Sequence, residues 1–435
     1  MPRVMCAAAV LSLPVLFSAA AAHAQQQQRI PRLLIADRNN DALWVARDGN
    51  NDGVIDAAEV ALWFDATNAA FTLPTDTMAS LAVRRDGFTI VGDSASSRRM
   101  IYAFADRNVN GSANDAGESA IVADSFNGSG IALGAPLGTA FDARGYAYFA
   151  NSSAAGSLDA IYRMMDLNGD GLFIGFGEIT EYVGAPAFGA AISSAYNPAE
   201  IAFVGNVGYM RNSGSGAHGI YRFEDINGNG RADDPGEFTG FWDSSTDNAT
   251  GIMPAAGFAL EVDQVRARSF YTIQVASGGV DQLIRVTDLD GNGSAHSPGE
   301  AVIAFSSDAD GFTAVDVVSL ADGRVLLSDS AGVRIIVLTD IDGDGMFLSD
   351  GEATDLLAGV AAIGTIRQFA VLPCPGDWNL DLTVNSGDIS AFLTDWLAAV
   401  SAGTPGADVT LDGVTDSGDI SSFLSTWLAG VQEGC

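Results

Sequence analysis

One phrase returns six times along this chain of 435 residues: Asp, any residue, Asn or Asp, any residue, Asp or Asn, Gly, and then an acidic stop. It reads DGNNDGVIDAAE from Asp48, DRNVNGSANDAGE from Asp106, DLNGDGLFIGFGE from Asp166, DINGNGRADDPGE from Asp225, DLDGNGSAHSPGE from Asp288 and DIDGDGMFLSDGE from Asp340. The leading Asp residues stand 58, 60, 59, 63 and 52 residues apart. A period near sixty is long for one coil of a solenoid, and it fits a blade of four short strands with extra loop.

Each unit supports that fit. In the third, FDARG turns into YAYFANS, DAIYRMMD enters the Asp166 loop and EITEYVG leaves it. The sixth repeats the order with AVDVVSLADG, RVLLSDS, GVRIIVLTD, the Asp340 loop and ATDLLAG. Short apolar runs divided by Gly, Ser and Asp turns read as strands. The first unit lacks an innermost strand and begins with RLLIADR at 32–38, while the run GTIRQFAVLP at 364–373 is left over after the sixth. Pairing the two closes a ring and removes the free sheet edge. The sequence therefore predicts a mainly β six-bladed propeller over 32–373, closed by a C-terminal strand, against an open β array with acidic linkers. The runs LLIADRNND and VLLSDSAG resemble the strand-turn pattern of bacterial propellers of the YVTN and NHL type. That resemblance implies a fold and no single activity.

The chemistry of the phrase is that of calcium, which takes six to eight oxygens that a tight loop offers at alternate positions, with Gly at the sharp turn. The candidate ligands are Asp48, Asn50, Asp52, Asp56 and Glu59; Asp106, Asn108, Asn110 and Glu118; Asp166, Asn168, Asp170 and Glu178. The later loops offer Asp225, Asn227, Asn229 and Glu237; Asp288, Asp290, Asn292 and Glu300; Asp340, Asp342, Asp344 and Glu352. The first has the full EF-hand spacing, and the other five are one residue longer and lie between strands. Ligand charge predicts the tightest site at Asp340 and a weak one at Asp106. The expected role is to tie the third strand of each blade to the fourth. Ordinary hairpin turns use similar residues, but six loops with the same five oxygen-or-Gly positions exceed what turns require.

Loops joining strands one to two and three to four share a face of a propeller, so the acidic loops should ring one face and leave the other for a ligand. On that opposite rim the ends of the second strands bring Asp37, Asp93, Asn151, Asn212, Asp329 and Gln274. Such a ring of oxygens could hold a metal or a sugar, or each side chain could cap its own turn.

After Pro373 the pattern changes. DWNLDLTVNSGD precedes ISAFLTDWLAAV, and DVTLDGVTDSGD precedes ISSFLSTWLAGV. The runs have helical spacing at Ile389, Phe392, Leu393, Trp396 and Leu397, matched by Ile420, Phe423, Leu424, Trp427 and Leu428, so the two faces should pack together. Asp377, Asn379, Asp381, Asn385 and Asp388, then Asp408, Thr410, Asp412, Asp416 and Asp419, supply the loop oxygens. These units resemble a dockerin, a small α-helical calcium-binding module, over 374–435. Leu382 stands where the family has Gly, and Thr410 where it has Asn or Asp, departures expected to weaken calcium at either loop. Cys374 and the terminal Gly434-Cys435 resemble the GC-type variant. The resemblance implies docking to a cohesin-like or cell-surface partner, with Ser386, Gly387, Ser417 and Gly418 at the contact positions. A calcium-stabilised cap without a partner is the plain alternative.

The N-terminus carries Arg3, an apolar run at 10–22 and Ala22-His23-Ala24 before a Gln-rich linker at 25–31. That is the pattern of a signal peptide cleaved after residue 24, so secretion or surface display is expected. Export leaves Cys374 and Cys435, an even pair that favours a disulfide over two free thiols. The formal charge of −33 leaves no basic stripe for nucleic acid. No stretch is long and apolar enough to span a bilayer. Only His218 and His296 lie beyond the leader, and no zinc motif or nucleophile elbow is present. The sequence favours a calcium-binding propeller that acts as a binding module. The alternative is a propeller hydrolase or lactonase with a metal-dependent site on the face opposite the acidic loops.

Overall fold

The computed structural model describes residues 29–65, 78–95, 99–152, 159–184, 187, 196–245, 247–275, 280–307 and 312–433. The expected signal peptide and Cys435 lie outside these residues. Twenty-four strands, from β1 (Leu33–Asp37) to β24 (Ile366–Val371), form six antiparallel four-stranded sheets. Five sheets use consecutive strands. The sixth has β24 innermost, then β1, β2 (Ala42–Ala46) and β3 (Val60–Phe64). Leu33 pairs with Val371 and Ile35 with Phe369, so the left-over run closes the ring as expected.

The innermost strands β4 (Met78–Val83), β8 (Ala135–Phe141), β12 (Pro198–Val204), β16 (Leu260–Val262), β20 (Ala314–Ser319) and β24 stand side by side around a central channel. Strands such as LLIAD and VLLSD are buried at every position, because a blade is covered on both faces by its neighbours. The core is accordingly divided into six apolar clusters, one in each seam. The seam between first and last blades joins Leu33, Ile35 and Ile55 to Leu326, Ile335 and Leu357.

In all six blades the fourth strand carries a bulge, and the residue set free is buried: Trp63, Val122, Tyr182, Phe241, Ala304 and Leu356. The innermost strand has its own bulge in five blades, just before Ser80, Gly138, Glu200, Asp316 and Gln368. Those residues occupy equivalent places near the channel.

Two helices follow, α1 (Ser386–Ala402) and α2 (Ser417–Glu433). Neither is long and apolar enough to cross a membrane. Asn385 caps α1 by accepting the Gly387 N–H, with Asp388 completing a capping box. The helices meet through Phe392 stacked on Phe423 at 4.1 Å, with Trp378 edge-on to both. Trp396 donates to the Asp416 carbonyl and Trp427 to that of Asn385, a reciprocal pair. Only part of the expected apolar face is used in this contact. Leu393, Leu397, Leu424 and Leu428 are exposed, while the packed cluster is built from Phe392, Phe423 and Ala399 with Ile389, Trp396, Ile420 and Trp427 against it.

Candidate functional sites: acidic loops and central channel

The six loops share one internal geometry. The leading carboxylate accepts backbone N–H groups around position six: Asp48 from Asp52 and Gly53, Asp106 from Asn110 and Gly111, Asp166 from Asp170 and Gly171. Asp225, Asp288 and Asp340 do the same with Gly230, Gly293 and Gly345. The terminal Glu folds back over the loop. Glu59 Oε1 accepts from Gly49 and Asn50 while Oε2 accepts from Asp56, and Glu118, Glu178, Glu237, Glu300 and Glu352 repeat this division. First and last carboxylates thus both bind the backbone of their own loop. Asn50, Asn108, Asn168, Asn227 and Asp290 each accept the N–H two residues on, as does Asp342 from Asp344.

Among the described residues, acidic oxygens converge within 4.8 Å in three sets: Asp288, Asp290 and Glu300; Asp340, Asp342 and Asp344; and Asp233, Asp234 and Glu237. The third set was not foreseen. Asp234 accepts from the amides of Asn227 and Asn229, and Asp115 does the same for Asn108 and Asn110. Each stands three residues before its Glu, as Asp56 does before Glu59, so the longer loops keep the same close with one extra residue ahead of it. In the Asp106 loop, burial raises the leading carboxyl.

The loops also do something the sequence reading missed. Seven residues after each leading Asp stands a buried apolar residue whose N–H leaves its own blade. Ala113 donates to Trp63, Phe173 to Val122, Ala232 to Tyr182, Ala295 to Phe241 and Phe347 to Ala304, at 2.6–2.8 Å. Ile55 donates to Leu356 and completes the circuit. Each acceptor is the bulged residue of the preceding blade. The loops therefore fasten blade to blade, besides joining third strand to fourth. The signal was an apolar residue at one fixed place, seven after the leading Asp, in all six loops.

The expected rim is placed differently. Asp37, Asp93, Asn151, Asn212 and Asp329 are all buried, and so is Gln274. Asp37 accepts from Gly364 and Thr365, Asn151 from Gly134, Asn212 from Asn197, Gln274 from Ala255 and Asp329 from Thr313. Each holds the segment that enters its own innermost strand, and Asp93 accepts from Ala95. These side chains latch strands and present no open ring at a mouth.

The large described cavity lies elsewhere. It is about 1100 Å³, runs along the channel, and opens among Arg84, Arg85, Gln264, Ala321, Asp322 and Asn51. Those residues belong to the loops joining strands one to two and to the first acidic loop, so the cavity opens on the acidic-loop face. The sequence reading looked to the opposite face for a ligand site, whereas the lining of this cavity lies along the channel and toward the acidic-loop face. Its wall carries Glu200, Glu261, Asp316, Gln368 and Thr139, and Leu380, Asp381, Leu382 and Thr383 of the C-terminal segment stand at its edge. Burial pushes Asp316 up to about 7 and Glu261 up to about 8, and lifts Glu200 well above the usual carboxylate range with the Asp316 charge adding to it.

The C-terminal segment is seated on the same face. Arg84 donates to the Asp408 carbonyl at 2.8 Å, Arg85 pairs with Asp395, and Leu411 packs on the seam between the second and third blades. Asp377 accepts from Asp381 and Leu382, and Asp388 from Asn379 and Asn385. Asp408 accepts from Asp412 and Gly413, and Asp419 from Thr410 and Asp416. Burial and the neighbouring Asp388 push Asp377 up to about 6, and burial raises Asp408. Ser386, Ser417 and Gly418 are exposed and Gly387 half-exposed.

No protein-family model matches the chain, and no characterised protein matches it in sequence. Solved structures similar to it include a nidogen/laminin complex chain at 12% identity, covering 79% of this chain and 100% of that one with a TM-score of 0.48. Virginiamycin B lyase from Staphylococcus aureus is 14% identical, covering 77% and 85% with a TM-score of 0.41. A gluconolactonase from Xanthomonas campestris is 12% identical, covering 76% and 86%, also at 0.41.

Proposed function

We propose that this chain is an exported propeller, fastened by calcium, that serves as a binding module and is held on a cohesin-like or cell-surface partner by its dockerin-like C-terminal segment. The observation that carries the docking half is a matched pair of exposed apolar stripes. Leu393, Leu397 and Val400 on α1 repeat as Leu424, Leu428 and Val431 on α2, at the same spacing. Apolar side chains at i, i+4 and i+7 make one face of a helix, and such a face left open is a surface for a partner. Exposed Ser386 and Ser417 begin the same two helices. Cys374 and Cys435 would clasp the segment at its two ends.

Purified cohesin modules offered to the immobilised full chain test this. Capture that needs calcium and is lost in Leu397→Asp and Leu428→Asp supports docking. Capture that survives chelator, or both substitutions, overturns it.

A second reading is favoured by the channel carboxyls. Acids kept protonated near neutral pH beside a large cavity can serve general acid–base work, as a hydrolase or lactonase requires. On this reading the chemistry lies in the channel. Saturable turnover of a lactone or glycoside, abolished in Asp316→Asn, would support it.

A further inference from the structure

The channel cavity contains more acceptor oxygen than the protein itself satisfies. Glu200 receives the amide N–H of Gln368 at 2.7 Å and the N–H of Ile201. Asp316 receives the backbone N–H groups of Val317 and Phe369, and Glu261 that of Ser319. Two further oxygens, buried in residues that line the same cavity, have no partner. Gln368 is 8% exposed and its Oε1 accepts no hydrogen bond, and Thr139 is 3% exposed with its hydroxyl unengaged. Buried polar atoms are paired in the great majority of folded proteins, so two orphans in one wall point to something that completes them.

We propose that this cavity binds a small organic cation, an amine or guanidinium, with Glu200, Asp316 and Glu261 supplying charge and Gln368 and Thr139 supplying acceptor oxygens. Three considerations select that class. All five groups can accept hydrogen bonds, which suits a ligand rich in N–H donors. The three channel carboxyls do not converge within 4.8 Å as those of the loops do, so their oxygens are spread wider than one metal ion's shell. A space of about 1100 Å³ holds a molecule of many atoms, where a single water takes about 30 Å³. Burial of carboxyls without a full counter-charge is what raises Glu200, Asp316 and Glu261, and a bound cation would relieve it. Arg367 is the charged neighbour already present. It lowers Glu200 and Asp316 without outweighing burial, and its guanidinium lies over the Phe258 ring at 5.9 Å.

The proposal deepens the binding-module reading by naming a ligand class, and the docking assay is independent of it, so either can fail alone. The test is calorimetric titration of the calcium-saturated full chain with agmatine and with putrescine. About 0.3 M salt suppresses attraction to the acidic exterior. The neutral 1,4-butanediol and manganese ions serve as comparison probes. One equivalent of amine should bind, tenfold or more weaker in Glu200→Gln and in Asp316→Asn, and severalfold weaker in Gln368→Met. Butanediol should give no saturable heat. Amine binding unchanged in all three variants would place the amines on the outer surface and overturn the proposal. So would binding of manganese alone, lost in Asp316→Asn, which would make the channel a metal site. Absence of binding by every probe overturns it as well. Where a carboxyl variant fails to fold, Gln368→Met and Thr139→Val carry the comparison.

Discussion

The backbone N–H of Ile55, in the first acidic loop, donates to the carbonyl of Leu356 in the outer strand of the last blade at 2.6 Å. The two residues are adjacent in space only because the ring is closed. The same bond recurs at every other seam, from Ala113 to Trp63 onward. A loop held in shape by a cation at its polar end would thus hold the next blade by its apolar end. Cation binding in the loops would then set the stability of the whole ring.

Calcium removal should therefore loosen the propeller itself. A ligand at 100 times its Kd stabilises the folded state by about 2.7 kcal/mol per independent site. With several loops filled, chelation should lower Tm by about 10 °C or more in differential scanning calorimetry. The loops should not contribute equally. Glu352→Gln, beside Asp340, Asp342 and Asp344, should remove more of the calcium-dependent gain than Glu118→Gln, beside Asn108 and Asn110. Equal losses would mean that loop charge does not set occupancy.

A second closure acts at the opposite face. Asp37 accepts the N–H groups of Gly364 and Thr365 at 2.8 and 2.9 Å, and also the side-chain N–H groups of Asn40 and Trp44. Replacing a buried acceptor leaves its donors unpaired, at about 1–3 kcal/mol. Asp37→Ala should lose at least that in urea unfolding and shift the midpoint without changing calcium affinity. An unchanged midpoint would return Asp37 to the role of an open ligand.

Six blades and their closure were legible because each rests on a local rule: short apolar runs, turn residues between them, and a strand missing at one end that matches the run left over at the other. The latching role of Asp37 and Asp329 was only half legible. A side chain at a strand end can be seen in the sequence, but whether it faces solvent depends on the segment that folds across it. The channel carboxyls Glu200, Glu261 and Asp316 left no mark. They lie on innermost strands of different blades, and only ring closure and the bulges before Glu200 and Asp316 turn them toward one space. Ile55 and its equivalents were visible as residues, but not as donors to another blade.

The first C-terminal loop contains a strained residue. Leu382 sits at φ 65° in the left-handed region, where its counterparts Gly413 and Gly53 sit at 82° and 86°. A non-glycine residue pays about 1–2 kcal/mol for that conformation, part of which glycine gives back as unfolded-chain entropy. Leu382→Gly should therefore stabilise the segment by up to about 1 kcal/mol and tighten calcium at Asp377, read by titration of the full chain. Weaker binding would show that the Leu382 side chain matters more at the edge of the cavity than its backbone does in the loop.

The channel predicts a pH dependence whose sign opposes the usual one for carboxylates. Asp316 is raised to about 7 and Glu261 to about 8, both chiefly by burial. Between the ordinary carboxylate range and these values the folded chain holds protons that the unfolded chain has released. Stability from these groups is then fully present below about pH 4 and is lost as pH rises through about 7 to 8. With calcium saturating, Tm should fall between pH 5 and pH 8, and Asp316→Asn and Glu261→Gln, which mimic the neutral acids, should each flatten that fall. If the parent and both variants lose the same number of degrees, Asp316 and Glu261 are ionised in the folded chain and some unseen charge compensates them.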